Sequence, residues 1–356
     1  MNVKRALEEI PVDERAEERA WSVVRTAYAR REPAPRRVRY WPFAAAGLAA
    51  VVAAATLSPP GRAVVDAVRR TIGVEHAAPA LFRLPAPGRL LVSGGGGTWV
   101  IAADGSKRRL GDYADASWSP HGLFVVAAST DELAAIEPGG RVHWTLARAR
   151  VSLPRWGGSR DDTRIAYLSG STLHVVAGDG TGDRILGRAA HVAAAWKPDT
   201  HVLAYATARG VRVVDSDTGR TLATYAVPKV RALAWSPDGT RLAAATPGRV
   251  LLLRKTVRLS LGVAGVRALA FAGDGRLAML RARTVVEYGP ERLATIATVP
   301  AALHGLAWSP NGRWLVAGLP AADQWVFVGA HGLRAVGRIT KQFGGAVSLD
   351  GWAPGA

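Results

Sequence analysis

The chain has 356 residues and no cysteine, with 49% hydrophobic and 21% charged residues, 39 glycines and 21 prolines. These figures exclude a collagen-like, disulfide-stapled or wholly disordered protein, and the lack of cysteine excludes zinc–thiolate sites, iron–sulfur clusters and a cysteine nucleophile. The formal net charge of +18 suggests a polyanionic partner. However, 40 of the 46 basic residues are arginines, which also suits a codon-driven basic surface.

Residues 1–40 carry a helical pattern without a sustained apolar run. Apolar residues recur near i, i+4 and i+7 spacing among charged neighbours: Ala16, Ala20, Val23, Val24 and Tyr28. This spacing predicts an amphipathic helix that ends before Pro33. A helix this short is marginal alone, so its apolar face needs a partner: another copy, a membrane surface or a second protein.

Residues 41–58, WPFAAAGLAAVVAAATLS, form an uncharged apolar segment. Its length is near the lower limit for crossing a bilayer core of about 30 Å, so it predicts a transmembrane helix, with a buried soluble helix as the alternative. Six arginines and one acid lie between residues 25 and 40. The positive-inside rule then places the N-terminus in the cytoplasm. We therefore expect a single-pass protein of the cell membrane whose residues beyond 60 are extracytoplasmic.

Residues 59–80 connect this segment to the rest of the chain. Val64, Val65, Val68 and Ile72 share one helical face, with arginines on the other. The pattern predicts either a juxtamembrane helix lying on the outer leaflet or a spacer helix packed against the following domain.

The remaining chain, residues 81–356, is repetitive. An aromatic anchor recurs every 36 to 40 residues, most clearly in AWSPDGTRLAAA at residues 234–245. The anchors are Trp118, Trp156, Trp196, Trp235, Phe271 and Trp308. A period near 40 residues with several short β runs per unit predicts a β-propeller, and the proline and glycine after the anchor suit a hairpin turn. We expect each aromatic ring to fill the wedge between neighbouring blades.

The two ends of this region complete one blade between them. Residues 89–111 supply three strands, and an echo of the repeat around Trp352 supplies a fourth strand and a seventh anchor. The sequence therefore predicts an all-β, seven-bladed β-propeller closed by the C-terminal strand, so that no sheet edge is left free around the ring.

The Trp-Ser-Pro-Asp-Gly motif at residues 235–239, with variants at 118–122 and 308–312, resembles the repeats of WD40-like propellers of the TolB type. The resemblance covers roughly residues 82–354 and implies four-stranded blades with the motif between the first and second strands. It also implies a binding platform, without naming its partner. Departures from the motif are visible: no proline follows Trp156, and Ala-Gly-Asp-Gly follows Phe271.

The sequence lacks the motifs of common catalytic and metal sites. It has no Gly-x-Ser-x-Gly elbow, His-Glu-x-x-His pair, Walker loop or 12-residue calcium loop. Gly178-Asp-Gly-Thr-Gly182 lies between β runs and predicts a turn, and Asp215 and Asp217 suit a turn that they cap themselves. We therefore predict no catalytic residue, no metal and no cofactor.

One candidate binding surface remains. Arg231, Arg267 and His304 each lie four residues before an anchor in three consecutive repeats. Because these positions are equivalent in their repeats, we expect the three side chains to cluster near one mouth of the central channel. There they would suit an anionic ligand or an acidic partner loop. The alternative is that these side chains are simply solvated at the starts of their strands.

Three functional hypotheses follow. The first is a non-enzymatic, membrane-anchored propeller that binds a protein or an anionic envelope polymer. The second is a transmembrane signal regulator of anti-sigma-like topology, in which occupancy of the propeller controls a cytoplasmic protein partner of residues 1–30. The third is a propeller enzyme such as a lyase or glycosidase, which needs acids or histidines converging on one channel mouth. Nucleic acid is the least favoured partner for an exported propeller.

Overall fold

The computed structural model describes residues 83–159, 161–254, 258–290, 292–330 and 332–355. In these residues 28 strands form seven four-stranded antiparallel sheets, which confirms the all-β, seven-bladed propeller. The helices predicted over residues 1–40, 41–58 and 59–80 lie outside the described residues. Within the described part of the chain, no helix has the length and apolarity needed to cross a membrane.

Six blades are built from consecutive strands, and blade 1 takes its inner strand from the C-terminal end. Blade 1 contains β1 (Arg89–Gly94), β2 (Thr98–Ile101) and β3 (Lys107–Gly111), with β28 (Val347–Ala353). Blade 2 contains β4 (Asp115–Trp118), β5 (Val125–Ala128), β6 (Glu132–Ile136) and β7 (Val142–Ala147). Blade 3 contains β8 (Val151–Gly158), β9 (Thr163–Ser169), β10 (Thr172–Ala177) and β11 (Arg184–Arg188).

The other four blades follow the same order. Blade 4 contains β12 (Ala195–Trp196), β13 (Val202–Thr207), β14 (Gly210–Asp215) and β15 (Thr221–Tyr225). Blade 5 contains β16 (Ala232–Trp235), β17 (Leu242–Ala245), β18 (Val250–Leu253) and β19 (Arg258–Leu261). Blade 6 contains β20 (Ala268–Phe271), β21 (Leu277–Leu280), β22 (Thr284–Gly289) and β23 (Arg292–Thr298). Blade 7 contains β24 (His304–Trp308), β25 (Trp314–Leu319), β26 (Gln324–Gly329) and β27 (Gly332–Gly337).

The hairpin between the first two strands of a blade follows from local turn chemistry, as blade 5 illustrates. The Gly239 backbone N–H donates to the Ser236 carbonyl at 2.8 Å, and the Ser236 N–H donates to the Arg241 carbonyl at 2.8 Å. Gly239 has φ +63°, a conformation that glycine adopts without steric cost. The turn leads directly into β17, whose four residues are all buried, because neighbouring blades cover both faces of the sheet.

The aromatic anchors lie on the inner strands, and their rings pack between blades. Trp308, for example, belongs to a buried cluster that contains Leu280 of blade 6 and Leu315 of blade 7. The same placement, between an anchor's own blade and the preceding one, holds for Trp118, Trp156, Trp196, Trp235, Phe271 and Trp352. The hydrophobic core is therefore a ring of wedges, each shared by two blades.

A repeated arginine contact, not anticipated from the sequence, reinforces three of these wedges. Arg89, Arg241 and Arg276 each lie at the beginning of the second strand of a blade or directly before it. They donate to a glycine carbonyl in the next blade, at 2.6, 3.2 and 2.6 Å. Each guanidinium also lies over the next blade's anchor ring, 5.2, 5.7 and 4.7 Å from its centroid. Each of these arginine side chains thus links two neighbouring blades through both a hydrogen bond and a cation–π contact.

The predicted closure of the ring by the C-terminal strand is confirmed. β28 pairs antiparallel with β1, from Arg89 opposite Ala353 to Gly94 opposite Val347. A short helix that the sequence did not indicate, α1 (Ile339–Phe343), precedes β28. The Phe343 ring is fully buried, 5.3 Å from Trp325 and 5.7 Å from Trp99 between ring centroids. The closing strand is therefore held by backbone pairing and by an aromatic plug beside it.

Candidate binding site in the central channel

Backbone pairing places Arg231, Arg267 and His304 at equivalent positions of their blades. The Arg231 N–H donates to the Ala245 carbonyl and the Arg267 N–H to the Leu280 carbonyl, both at 2.8 Å. His304 pairs with Gly318, the corresponding residue of blade 7. All three therefore lie where the chain enters an inner strand, at the same end of the channel.

The structure brings two of these three side chains into one cavity. Arg231 and Arg267 line a cavity of about 580 Å³ bounded by inner strands of the ring. His304 is exposed and does not line it, although its neighbours Gly305 and Leu306 do. The pairing of β24 with β25 shifts register between His304 and Ala307, and such a bulge re-aims the residues before it.

Arg231 and Arg267 are available to a ligand. Both residues are exposed, and neither guanidinium has an ion-pair or hydrogen-bond partner among the described residues. Each carries donors in a planar fork that fits a carboxylate or phosphate. Their neighbours in the cavity wall are apolar: Ala232, Leu233, Ala268 and Leu269. The cavity therefore presents two unpaired cations on a largely apolar wall.

Across the ring, blades 1 to 3 contribute charged residues that sequence reasoning missed. Arg155 and Asp350 line the same cavity. Arg155 pairs with Asp115 at 3.6 Å, and Asp115 also accepts the Leu153 N–H at 2.7 Å. All three charged residues lie within three positions before an anchor, so a search of the whole inner strand, instead of one register position, would have found them.

Asp350 is the unusual member of this group. Its Oδ1 accepts the Ser348 hydroxyl at 3.3 Å, whereas its buried Oδ2 has no hydrogen-bond partner among the described residues. Burial, followed by the negative charge of Asp115, raises the pKa of Asp350 to about 8. At neutral pH the Asp350 carboxyl is therefore largely protonated. With Asp115 paired to Arg155, the charge left over in the channel is that of Arg231 and Arg267.

No group of three or more histidine, aspartate or glutamate side chains is arranged to hold a metal ion in the part of the chain that the structure describes. The channel groups act instead through charge and hydrogen bonding. The guanidinium groups can orient an acidic group, and the protonated Asp350 can donate a hydrogen bond. The absence of a catalytic residue, metal and cofactor remains a prediction from the sequence.

Comparison with known proteins supports the fold class reached above, a WD40-like β-propeller. The family model of the WD domain, G-beta repeat, matches residues 219–252 and 294–328. Each matched segment begins near the outer strand of one blade and ends in the third strand of the next, so it spans a contact between blades. No curated protein matches the chain.

Three solved structures illustrate the likeness. A functionally unknown protein from Desulfotomaculum acetoxidans DSM 771 is 14% identical, with a TM-score of 0.57 over 75% of this chain and 99% of that one. The β-propeller domain of Myceliophteria thermophila Cps50 (Swd1) is 15% identical, with a TM-score of 0.53 over 64% and 87%. A chain of the Mitotic Checkpoint Complex is 18% identical, with a TM-score of 0.50 over 62% and 75%. At these identities the likeness shows the fold alone.

Proposed function

We propose that this chain is a non-enzymatic, membrane-anchored propeller of the TolB-like kind that binds a protein or an anionic envelope polymer outside the cytoplasm. The observation that carries the proposal is the pair of unpaired guanidinium groups, Arg231 and Arg267, in the channel cavity. Residues 81–356 hold 33 basic and 19 acidic residues, so the whole region attracts anions. The membrane anchor rests on residues 41–58 and the arginines before them.

The channel chemistry suits a ligand that carries carboxylates. Two arginines on neighbouring blades can each bind a carboxylate through two parallel hydrogen bonds. The acids across the ring do not oppose this, because Asp115 is paired with Arg155 and Asp350 is largely protonated at neutral pH. An acidic loop of a partner, or a run of uronate or glutamate units, supplies several carboxylates in succession.

Removing the two arginines tests the channel. The full chain is titrated in detergent with poly-glutamate, and the double variant Arg231→Ala/Arg267→Ala is compared with wild type. Loss of two charge-assisted contacts is expected to weaken binding by about tenfold or more. The matched control is Arg209→Ala/Arg283→Ala, which removes the same charge from exposed loops at the same end of the blades. If both double variants lose the same affinity for poly-glutamate, the attraction comes from the general positive charge, and the result counts against the channel as the binding site.

The predicted topology has its own test. A reporter that is active only outside the cytoplasm is fused after residue 356, and a second reporter that works only inside is fused at the same place. The proposal expects activity from the first and none from the second. Activity of the cytoplasmic reporter alone contradicts the extracytoplasmic location.

One observation favours a second candidate, a propeller enzyme. Asp115 and Asp350 lie on inner strands of adjoining blades, and Asp115 is close enough for its charge to raise the pKa of Asp350. A protonated carboxyl and a second, ionised carboxyl close by are the parts that glycoside hydrolysis uses. Incubating the full chain with polyuronides and measuring new reducing ends tests this candidate. Turnover that disappears in Asp350→Asn supports it, and no turnover by wild type removes it.

A further inference from the structure

A second cavity, of about 510 Å³, lies away from the channel between blades 2 and 3. Its wall comes from the turns that join first to second strands and from the turn between β10 and β11. Three aromatic rings line it, those of Phe124, Trp144 and Trp156. Because strands alternate in direction, these turns lie at the end of the blades opposite to Arg231 and Arg267. The second cavity therefore opens at the opposite end of the blades from the candidate site in the channel, although Trp156 lines both cavities.

The aromatic rings of this cavity are held in place before any ligand arrives. Phe124 stacks on Trp156 with centroids 6.0 Å apart and meets the His143 ring edge-on at 4.9 Å. The Trp144 indole N–H donates to the Gly178 carbonyl at 2.9 Å. A Cβ added to Gly180 would lie 2.8 Å from the same indole, so the turn backbone covers part of the ring. Rings fixed in this way lose little entropy when they bind a ligand.

Two carboxylates accompany the rings. Asp161 is exposed and has no hydrogen-bond or ion-pair partner among the described residues. Asp179 accepts the Thr181 N–H at 3.0 Å and the Thr181 hydroxyl at 2.7 Å, and these bonds hold the pKa of Asp179 below its usual range. The cavity wall contains no lysine or arginine among its described residues. It is a negative site on a propeller whose overall charge is strongly positive.

The residue at the start of a blade's second strand, which packs against the anchor ring of the next blade, differs between blades. In blades 1, 5 and 6 an arginine at the beginning of the second strand, or directly before it, lies over the next blade's anchor ring. In blade 2 the equivalent residue is Phe124, which lies against the anchor Trp156. Blade 2 thus replaces the internal cation by another ring. The arginine positions show that the edge between two blades accommodates a cation against an aromatic face.

We propose that this second cavity binds a small molecule that carries an alkylammonium group, such as a quaternary amine. The negative faces of fixed aromatic rings attract a cation within about 6 Å, and Asp161 and Asp179 add Coulomb attraction. An anionic ligand would be repelled by these carboxylates. A neutral one would leave their charges without a partner. The cavity volume lies within the range of small-molecule sites.

Choline and its neutral isostere 3,3-dimethyl-1-butanol are the probes, because they share a shape and differ in charge. Both are titrated into the full chain by calorimetry. Choline is expected to bind with a dissociation constant on the order of 1 mM, and the neutral isostere at least about tenfold more weakly. Failure of choline to bind at about 50 mM, or equal binding of the two probes, overturns the proposal.

Variants assign the binding to this cavity. Asp161→Asn/Asp179→Asn keeps the hydrogen-bond acceptor of the turn, removes both charges and is expected to lower choline affinity about tenfold. Asp104→Asn is the matched control, because Asp104 accepts the Ser106 N–H and hydroxyl in the equivalent turn of blade 1. It should bind choline as wild type does.

Two further variants complete the test. Phe124→Leu removes a ring and is expected to weaken choline binding severalfold at an unchanged melting temperature, within about 5 °C. Arg231→Ala/Arg267→Ala should leave choline binding intact, so that failure of the channel proposal and failure of this one are distinguished. Undiminished choline affinity in both Asp161→Asn/Asp179→Asn and Phe124→Leu overturns the assignment.

Discussion

Blades 1 and 5 have the same four-stranded sheet but are assembled differently. Blade 5 is a continuous stretch of chain from β16 to β19, and its first two turns close through hydrogen bonds between residues a few positions apart. Blade 1 combines β1 to β3 with β28, and its side-chain contacts join residues more than 200 positions apart, as in Lys107 to Gln342 at 2.6 Å. Blade 5 is therefore specified locally, whereas blade 1 depends on tertiary packing.

The inner strands of the two blades also differ in their charged residues. Blade 5 places Arg231 in the channel with an exposed, unpaired guanidinium. Blade 1 places Asp350 there with a buried oxygen that lacks a partner. Asp350 would destabilise the closing strand if it were ionised, because burial disfavours its charge. The packing of α1 and Trp352 stabilises the same strand. We therefore expect changes in blade 1, where the ring closes, to destabilise the fold more than changes in blade 5.

Deletion of residues 344–356 gives the largest expected effect. It removes β28, exposes Leu90 and Val92 of β1 on one edge, and opens the ring. We expect the melting temperature to fall by about 10 to 20 °C, from the loss of several buried apolar side chains. Thermal unfolding followed by circular dichroism measures it.

The control for this deletion is a chain that lacks only residues 354–356. Pro354 and Gly355 are exposed beyond the end of β28, so their loss should change the melting temperature by less than about 2 °C. An unchanged melt in the longer deletion would contradict the dependence of the fold on closure.

A matched pair of phenylalanines compares the two kinds of packing. Phe343 in α1 is fully buried beside blade 1, whereas Phe271, the anchor between blades 5 and 6, is half-buried. Phe343→Ala is expected to cost about 3 to 5 kcal/mol, and Phe271→Ala about 1 to 2 kcal/mol. Urea unfolding of both variants measures the difference. Equal losses would mean that the closing blade has no special packing requirement.

The repeat spacing predicts the blades and their closure because a hairpin is encoded by neighbouring residues: Trp235, Pro237 and Gly239 already specify the first turn of blade 5. Counting back from the anchor also placed Arg231 and Arg267, since the pairing of β16 and β20 is regular. It also placed His304 at the same end of the channel, although outside the cavity, and it missed Arg155 and Asp350. The strands that carry these three residues contain register shifts in their pairing, and a bulge changes which side chains face the channel.

The pH dependence of stability should reveal Asp350. Its pKa is about 8 in the fold against an ordinary 3.8, so the folded state keeps a proton that the unfolded state releases above about pH 4. Stability is therefore unaffected below pH 4, falls as pH rises towards 8, and is lowest above 8. Asp350→Asn should match wild type at pH 4 and exceed it by about 1 to 3 kcal/mol at pH 9. An equal stability difference between the two proteins at pH 4 and pH 9 would contradict the raised pKa of Asp350.

Asp238 of blade 5 should give a smaller effect of opposite sign. The Ser236 hydroxyl, the Thr240 N–H at 3.0 Å and the Thr240 hydroxyl at 2.8 Å hydrogen-bond its carboxylate and lower its pKa to about 2. Its contribution is present above about pH 4 and is lost as pH falls through 2.

Because the Asp238 side chain is exposed, we expect Asp238→Asn to lose at most about 1 kcal/mol at pH 7 and clearly less at pH 2. Denaturant unfolding at the two pH values measures this. An equal loss at both values would mean that the turn depends on shape and not on charge. Local charge would then stabilise neither blade, and the contrast between blades 1 and 5 would be one of packing alone.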